Sequence, residues 1–444
     1  MRVFFLVFLF GSISLVAQTE SVLHFQRHLL QSSQTNAAFA PDRKLVIGLG
    51  GFSGGLDHSG PSYADVFQRQ NDRTVIDVNF ILDQMDARNY LREDFSVETL
   101  GFGLRFGTSA VTLQHRVRAN SFVDYPRNLA EVIWRGNAPF IGQTVDLSHQ
   151  IDLESYHELA LGYSHEIGAF RIGARAKYLN GIVYARTGRG NLDLLTAEDA
   201  YQLTLTTDYR LQTAGLLRYN SITDVDVDFG FQSDDFSTFF GKNHGFSLDL
   251  GATYTTDRLE LAASVVDVAG NLNWNERTQT LTSNRVIQYD GLDLTGAVTG
   301  EDVDFANALD TLEQLLEFDV DERAFSSKLS QRVYLSGLYK WTDQLETGLV
   351  FYHRDRTFGD NDLHVTLYGG YRVGRILNLG LSYTAKRNDV NNIGAQLTTT
   401  LGPVRLFALT DDLYGLINYR DGRNTNFRAG LNLGFGSMDT ETTD

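Results

Sequence analysis

Apolar and polar residues alternate with a period of two over repeated segments of about ten residues, the spacing of strands that show a different solvent to each face. Residues 245 to 256 place Phe246, Leu248, Leu250, Ala252 and Tyr254 on one face, with Ser247, Asp249, Gly251 and Thr253 on the other. Residues 424 to 436 set Phe427, Ala429, Leu431, Leu433 and Phe435 against Arg428, Gly430, Asn432 and Gly434. The same alternation runs through Leu377, Leu379, Leu381 and Tyr383, through Phe170, Ile172, Ala174, Ala176 and Tyr178, and through Leu100, Phe102, Leu104 and Phe106. These segments exceed the roughly 5 to 6 residues of a soluble sandwich strand. Several apolar faces end in Tyr178, Tyr254, Tyr339 or Trp341, rings suited to a membrane interface. The pattern predicts an all-β chain forming a single transmembrane antiparallel barrel, with a soluble secreted β-protein, sandwich or solenoid, as the alternative.

The links between segments are of two kinds. Tight ones fall at Gly107 and Thr108, Ile167 and Gly168, Asp257, Thr342 and Asp343, Gly374 and Arg375, and Gly402. Long ones cover 54 to 93, 123 to 143, 188 to 244 and 275 to 325, with shorter ones at 355 to 361, 388 to 390 and 411 to 423. Outer-membrane barrels keep short turns on the periplasmic side and long loops outside. Because each strand reverses the last, this alternation counts fourteen strands, with sixteen as the alternative. The segment Tyr201 to Leu211 also alternates, but one added strand would break the parity, so it is expected as a hairpin beyond the membrane. Helical spacing appears inside the long links at 301 to 318 (Phe305, Leu309, Leu312, Leu315, Leu316), at 78 to 88 and at 127 to 134.

Composition sharpens this reading. The mean hydropathy of −0.20 looks soluble, yet a barrel turns only alternate residues to lipid. Abundant Gly, Tyr and Phe beside 5 Pro and 3 Met suit many closely packed strands with aromatic girdles. The absence of Cys excludes disulfides, thiolate metal sites, cysteine nucleophiles and a lipidated N-terminal cysteine. A net charge of −17 opposes nucleic-acid binding through a basic field. Arg2 followed by the apolar run Val3 to Phe10 and by Ile13, Leu15, Val16 and Ala17 reads as a signal peptide of residues 1–17, cleaved after Ala17. The expected organisation is then an N-terminal segment 18–42, a barrel 43–436 and a polar tail 437–444.

Inward-facing positions carry Arg105, Arg116, Arg118, Arg171, Arg175, Lys177, Arg372 and Arg428 with Glu158, Asp249, Glu260 and Glu346. Such rows bind a ligand carboxylate or an acidic partner segment, or they pair across strands and simply fill a polar lumen, the expected reading. Asp224, Asp226, Asp228 and Asp235 resemble a calcium loop, but Phe229 occupies the place that needs Gly, so a solvated acidic loop is expected. His24 and His28 are spaced to share a helix face, without a third ligand, and are expected at the surface of the N-terminal segment. No nucleophile elbow, P-loop or dinucleotide fingerprint is present, and Gly188, Arg189 and Gly190 are a turn signal. The sequence implies no catalytic site, metal or cofactor.

Certain stretches resemble a known family. QSSQTNAAFAPD at 31 to 42, KLVIGLGGFSG from 44, RNYLREDF at 88 to 95, YPRNLAEVIWRGN at 125 to 137 and LGYSHEIGAFRIGARAKYLNG at 161 to 181 are similar to an uncharacterised outer-membrane barrel family of the Bacteroidota, a domain of unknown function. More remotely the arrangement resembles the fourteen-stranded long-chain fatty-acid transporter (FadL) type, including PorV-like components of type IX secretion. The resemblance implies an N-terminal plug within the lumen, here residues 18–42. Where the family motif carries Asn-Pro-Ala, this chain has Asn36, Ala37 and Ala38, without the ring that would fix the turn. It further implies a barrel in outer-membrane lipid that handles a hydrophobic small molecule, or else a scaffold or shuttle for secreted or surface proteins.

Overall fold

The computed structural model describes residues 21–436, apart from 71–72, 199–201, 220–224, 228–240, 290–316, 358, 360 and 387–391. The expected leader, the C-terminal tail, the 301–318 helix and the calcium-like aspartates Asp224, Asp228 and Asp235 lie wholly or largely outside these residues.

Fourteen antiparallel strands close into one barrel. In chain order they are β1 (Leu45–His58), β2 (Arg88–Phe106), β3 (Ser109–Pro126), β4 (Gln150–Ile167), β5 (Phe170–Thr196), β6 (His244–Thr255) and β7 (Leu259–Trp274). Then follow β8 (Arg332–Lys340), β9 (Leu345–Arg354), β10 (Asp362–Val373), β11 (Leu377–Lys386), β12 (Asn392–Leu401), β13 (Val404–Thr410) and β14 (Asn424–Phe435). Each pairs with its neighbour, and Leu45 to Gly48 of β1 pair antiparallel with Phe435 to Asn432 of β14, which removes the sheet edge. Short turns lie at one end of the barrel, several of them turning on glycines at positive φ such as Gly107 and Gly168. Long connections lie at the other.

The solvent preference is inverted relative to a soluble protein. Along β6, Phe246, Leu248 and Leu250 are exposed while Ser247 and Asp249 are buried; Leu250 is 44% exposed and Asp249 0%. The same holds for Leu159, Leu161 and Tyr163 of β4 against Glu158 and Ser164. An apolar belt of this extent needs lipid to cover it, and the polar face turns into the lumen. No helix among the described residues is long and apolar enough to cross a membrane.

At the long-loop end the sheet outgrows the barrel. The outer half of β5 turns back into Leu203–Gly215, which pairs with Gln279–Tyr289 and through it with Asp319–Asp321. The alternating segment near 201–211 is therefore a hairpin beyond the belt, and the strand parity holds at fourteen. Val145, Leu147, Leu194 and Leu205 form its small core, against which Leu129 and Val132 of the helix Arg127–Arg135 pack. A shorter helix, Val78–Asp83, is capped by Asp77, whose side chain accepts from the Asn79 and Phe80 N–H groups.

Candidate functional site

The lumen is occupied by the chain's own N-terminal segment. A single helical turn, Ser21–His24, and a 3-10 turn, Leu30–Gln34, carry apolar residues inward, where Val22, Leu23 and Leu29 pack on Phe407 and Leu409 of β13. Phe25 stacks on Tyr368 with ring centroids 4.6 Å apart, within a cluster that includes Tyr334, Leu338, Val350 and Tyr352. His24 stacks on Tyr334 at 5.0 Å; its Nδ1 lies 2.9 Å from Thr35 Oγ1 and its Nε2 2.8 Å from Ser336 Oγ. The two histidines do not sit together on the segment's surface, contrary to what their spacing predicts. The helix ends at His24, so His28 does not share its face, and His24 is fully buried, its ring nitrogens satisfied by the hydroxyls of Thr35 in the segment itself and of Ser336 in the wall.

Asn36, Ala37 and Ala38 are buried at the far tip of the segment. The turn lacks proline but not rigidity: Asn36 Oδ1 accepts from the Ala38 N–H at 2.8 Å, closing an Asx turn, and Asn36 Nδ2 donates to the Ala263 carbonyl at 3.2 Å. Two wall glycines make room for it. A Cβ on Gly173 would stand 2.1 Å from the Ala37 carbonyl oxygen, and one on Gly251 would stand 2.0 Å from Asn36 Oδ1.

Around the tip runs a charged network. Glu158 accepts from Arg116 at 2.9 and 2.8 Å, while Arg116 Nη1 also donates to Gln34 Oε1 at 2.9 Å. Lys177 bridges Asp249 at 2.6 Å and Asp267 at 2.7 Å. Arg332 reaches Asp267 at 2.6 Å, and Arg118 stands 3.5 Å from it. Arg175 pairs with Asp249 at 3.1 Å and donates to the Ser33 carbonyl at 3.3 Å. Arg428 joins Gln34 at 3.1 Å to Glu98 at 3.3 Å. So Arg116, Arg118, Glu158, Arg175, Lys177, Asp249 and Arg428 converge as opposite-charge pairs, and three of them, Arg116, Arg175 and Arg428, hydrogen-bond to Ser33 or Gln34 of the inner segment. Such pairs contribute little net stability, because desolvation offsets their attraction, but removing one partner strands a buried charge.

The remaining predicted positions lie closer to the short-turn end. Arg105 and Arg171 share Glu166, and Glu260 accepts from Arg27 of the segment at 2.5 Å. Glu346 lines a cavity of about 230 Å³ at that mouth, together with His28, Lys340, Tyr368 and Gln396. Arg372 also lines it but is exposed rather than luminal, since β10 runs past the barrel floor before turning. At the opposite, long-loop side of the segment, a smaller cavity of about 50 Å³ is bordered by Arg92, Arg118, Arg354 and Asp94.

Asp267 belongs to the network although period-two spacing does not place it in the lumen. Strict alternation would turn it outward after Val266, but Asp267 and Ala269 adopt φ of 63° and 50°, a bulge that buries both Val266 and Asp267. Arg405 donates to the His28 carbonyl and, at 2.8 Å, to Asp42; an isolated arginine in the short β13 shows no pattern that would single it out. Among the described residues no group of His, Asp and Glu is arranged to hold a metal ion.

A family model described as a family of unknown function, DUF5723, matches residues 38–411, spanning the segment tip and nearly the whole barrel. The chain belongs to this family. No curated protein matches it in sequence. Solved structures of similar form include the toluene transporter TbuX of Ralstonia pickettii, at 8% identity and a TM-score of 0.42, with 90% of this chain and 91% of that one covered. The toluene transporter TodX of Pseudomonas putida gives 8% and 0.40 over 94% and 93%. A FadL homologue of Pseudomonas aeruginosa gives 10% and 0.40 over 89% and 88%. The strand pairing described above, not these distant likenesses, establishes the barrel.

Proposed function

We propose that this DUF5723 member is an outer-membrane barrel that admits a hydrophobic small molecule, with residues 18–42 serving as the plug that closes it. The observation that carries this reading is the stacking of His24 and Phe25 on Tyr334 and Tyr368. Withdrawal of the segment would uncover an aromatic face on β8 to β10, and Phe407 and Leu409 on β13, within a lumen that elsewhere carries rows of charged side chains. Cavities on both sides of the segment fit a conduit interrupted by it. Their linings are polar, so the covered aromatic face is the surface offered to an apolar ligand. The arrangement of short turns and long loops follows the outer-membrane rule, which supports that location; export by a leader ending at Ala17 belongs to the same proposal.

A second reading, a scaffold for secreted or surface proteins, is favoured by the hairpin beyond the belt, where Leu195, Val286 and Val320 are exposed apolar residues. Uptake of the fluorescent apolar probe N-phenylnaphthylamine by cells separates the two. Expression of Phe25→Ala should raise uptake above that of the wild type at equal barrel abundance. Equal uptake, with co-purification of a stoichiometric protein through the outer hairpin, would replace the conduit with the scaffold.

A further inference from the structure

Above the tip of the inner segment, on the long-loop side, cationic side chains outnumber carboxylates. The cavity there is lined by six cationic side chains, Arg92, Arg118, Arg186, Lys328, Arg354 and Arg356, and four anionic ones, Asp94, Asp152, Glu154 and Asp267, in a chain whose overall charge is −17. Most of these carboxylates, and those beside them, are already engaged. Asp152 takes Arg186 through two bonds at 2.8 and 3.2 Å, Glu154 accepts from the Ser327 hydroxyl at 2.5 Å, and Asp267 holds Lys177 and Arg332. Arg356 is paired with Asp362, and Arg92 donates to Asp57 at 3.3 Å.

What remains is a set of guanidinium groups, each nine-tenths or more buried, with N–H groups lacking a hydrogen-bond acceptor. Arg354 is 5% exposed, and its Nε and Nη1 have no partner within hydrogen-bond reach; Asp94 Oδ1 stands 3.6 Å from Nη1, itself unbonded. Arg118 is 6% exposed, and its Nη1 is likewise unbonded, 3.5 Å from Asp267 and 3.8 Å from Glu158. Arg92 Nε is a third. A buried charged donor without an acceptor is unfavourable, and a planar guanidinium fork is matched best by a two-oxygen anion. Apolar lining is limited to parts of Phe122, Tyr156 and Leu329, so the site offers no bed for a long hydrocarbon chain.

We propose that this cavity is a binding site for a small hydrophilic oxyanion, a phosphoryl or carboxylate group held between Arg118 and Arg354 with Arg92 at its edge. The site is distinct from the aromatic face beneath the segment and does not require the segment to move. Asp94, whose Oδ1 has no hydrogen bond, opposes the ligand beside Arg354 and sets the strength of binding by competing for that arginine.

The test is calorimetric titration of the full chain in detergent micelles with inorganic phosphate and, separately, with succinate. Saturable binding of either is expected, and which one binds identifies phosphoryl or carboxylate chemistry. Arg354→Gln should weaken it about ten-fold or more, a change of ~1.4 kcal/mol or more, whereas Asp94→Asn should strengthen it. The opposite signs separate a ligand contact from a fold defect, and heat-modifiable migration reports whether each barrel has formed. The exposed Arg189→Gln, on the outer hairpin, should bind as the wild type does. No saturable binding of either anion up to roughly 10 mM, or wild-type affinity in both Arg354→Gln and Asp94→Asn, overturns the site. Neither result bears on Phe25→Ala uptake, so failure here is distinguishable from failure of the conduit.

Discussion

Replacing Gly173 with Val should expel the inner segment while leaving the barrel standing. The wall at this point lies so close to the Asn36 turn that a Cβ would meet the Ala37 carbonyl oxygen at 2.1 Å, its carbon at 2.5 Å and the Ala38 nitrogen at 2.7 Å. These are backbone atoms held by the Asx turn, so no rotamer change relieves the contact, whereas β5 itself accommodates a β-branched residue readily. Overpacking of this kind costs about 1 to 3 kcal/mol, a 5- to 150-fold loss of the docked form. Hydrogen exchange of the amides between residues 21 and 42 reads that loss directly, as does new cleavage by an added protease. Gly369→Val supplies the control, because its Cβ would meet nothing within 4 Å. Unchanged protection of the segment in Gly173→Val, with the barrel folded, would refute the idea that close approach to the wall fixes its position.

Other perturbations probe the wall, the network and the histidine. Leu250→Arg on the exposed face of β6 should destabilise the barrel in lipid vesicles by about 2 to 4 kcal/mol, measured by denaturant refolding; no change would mean that this face does not meet lipid. Lys177→Met should cost about 3 to 5 kcal/mol by the same assay, because it leaves Asp249 and Asp267 facing each other in the interior with one fewer cation. His24, outside the strands, has its pKa lowered by burial and by nearby Arg27. Its docked value thus lies below the undocked one of about 6.5, so the undocked form binds more protons below that pH. Docking should be fully stable above pH 6.5 and should weaken as pH falls below it, seen as faster segment exchange at pH 5 after correction for intrinsic rates, and this dependence should flatten in His24→Gln.

The barrel was legible because lipid and lumen impose opposite demands on alternate residues, and strands such as β6 obey without interruption. Leu250 and Asp249 could be assigned to opposite faces from spacing alone. The outer hairpin was legible for a related reason: strand direction must alternate, so one extra alternating segment had to lie outside the closed sheet. The interior was only half legible. Inward rows such as Arg116 with Arg118 and Arg175 with Lys177 stood out, but their partner Asp267 is turned inward by a bulge, and bulges erase the parity that pattern reading depends on. The missing proline predicts a looser Asn36 turn, whereas the Asn36 side chain replaces the ring's effect through a local hydrogen bond that spacing does not reveal. Arg92, Arg354 and Arg356 escaped notice because they sit where strands pass into long connections. There, proximity is set by closure of the barrel, which brings β2 within reach of β9, and not by spacing along the chain.

A transmembrane barrel closed by its own N-terminal segment should conduct only once that segment is gone. Planar-bilayer conductance compares the chain from Gln18 onward with one from Arg43 onward. The intact barrel should remain mostly silent, and the shortened one, once shown to be folded by heat-modifiable migration, should give steady ohmic openings. Equal conductance from the two folded proteins would contradict the claim.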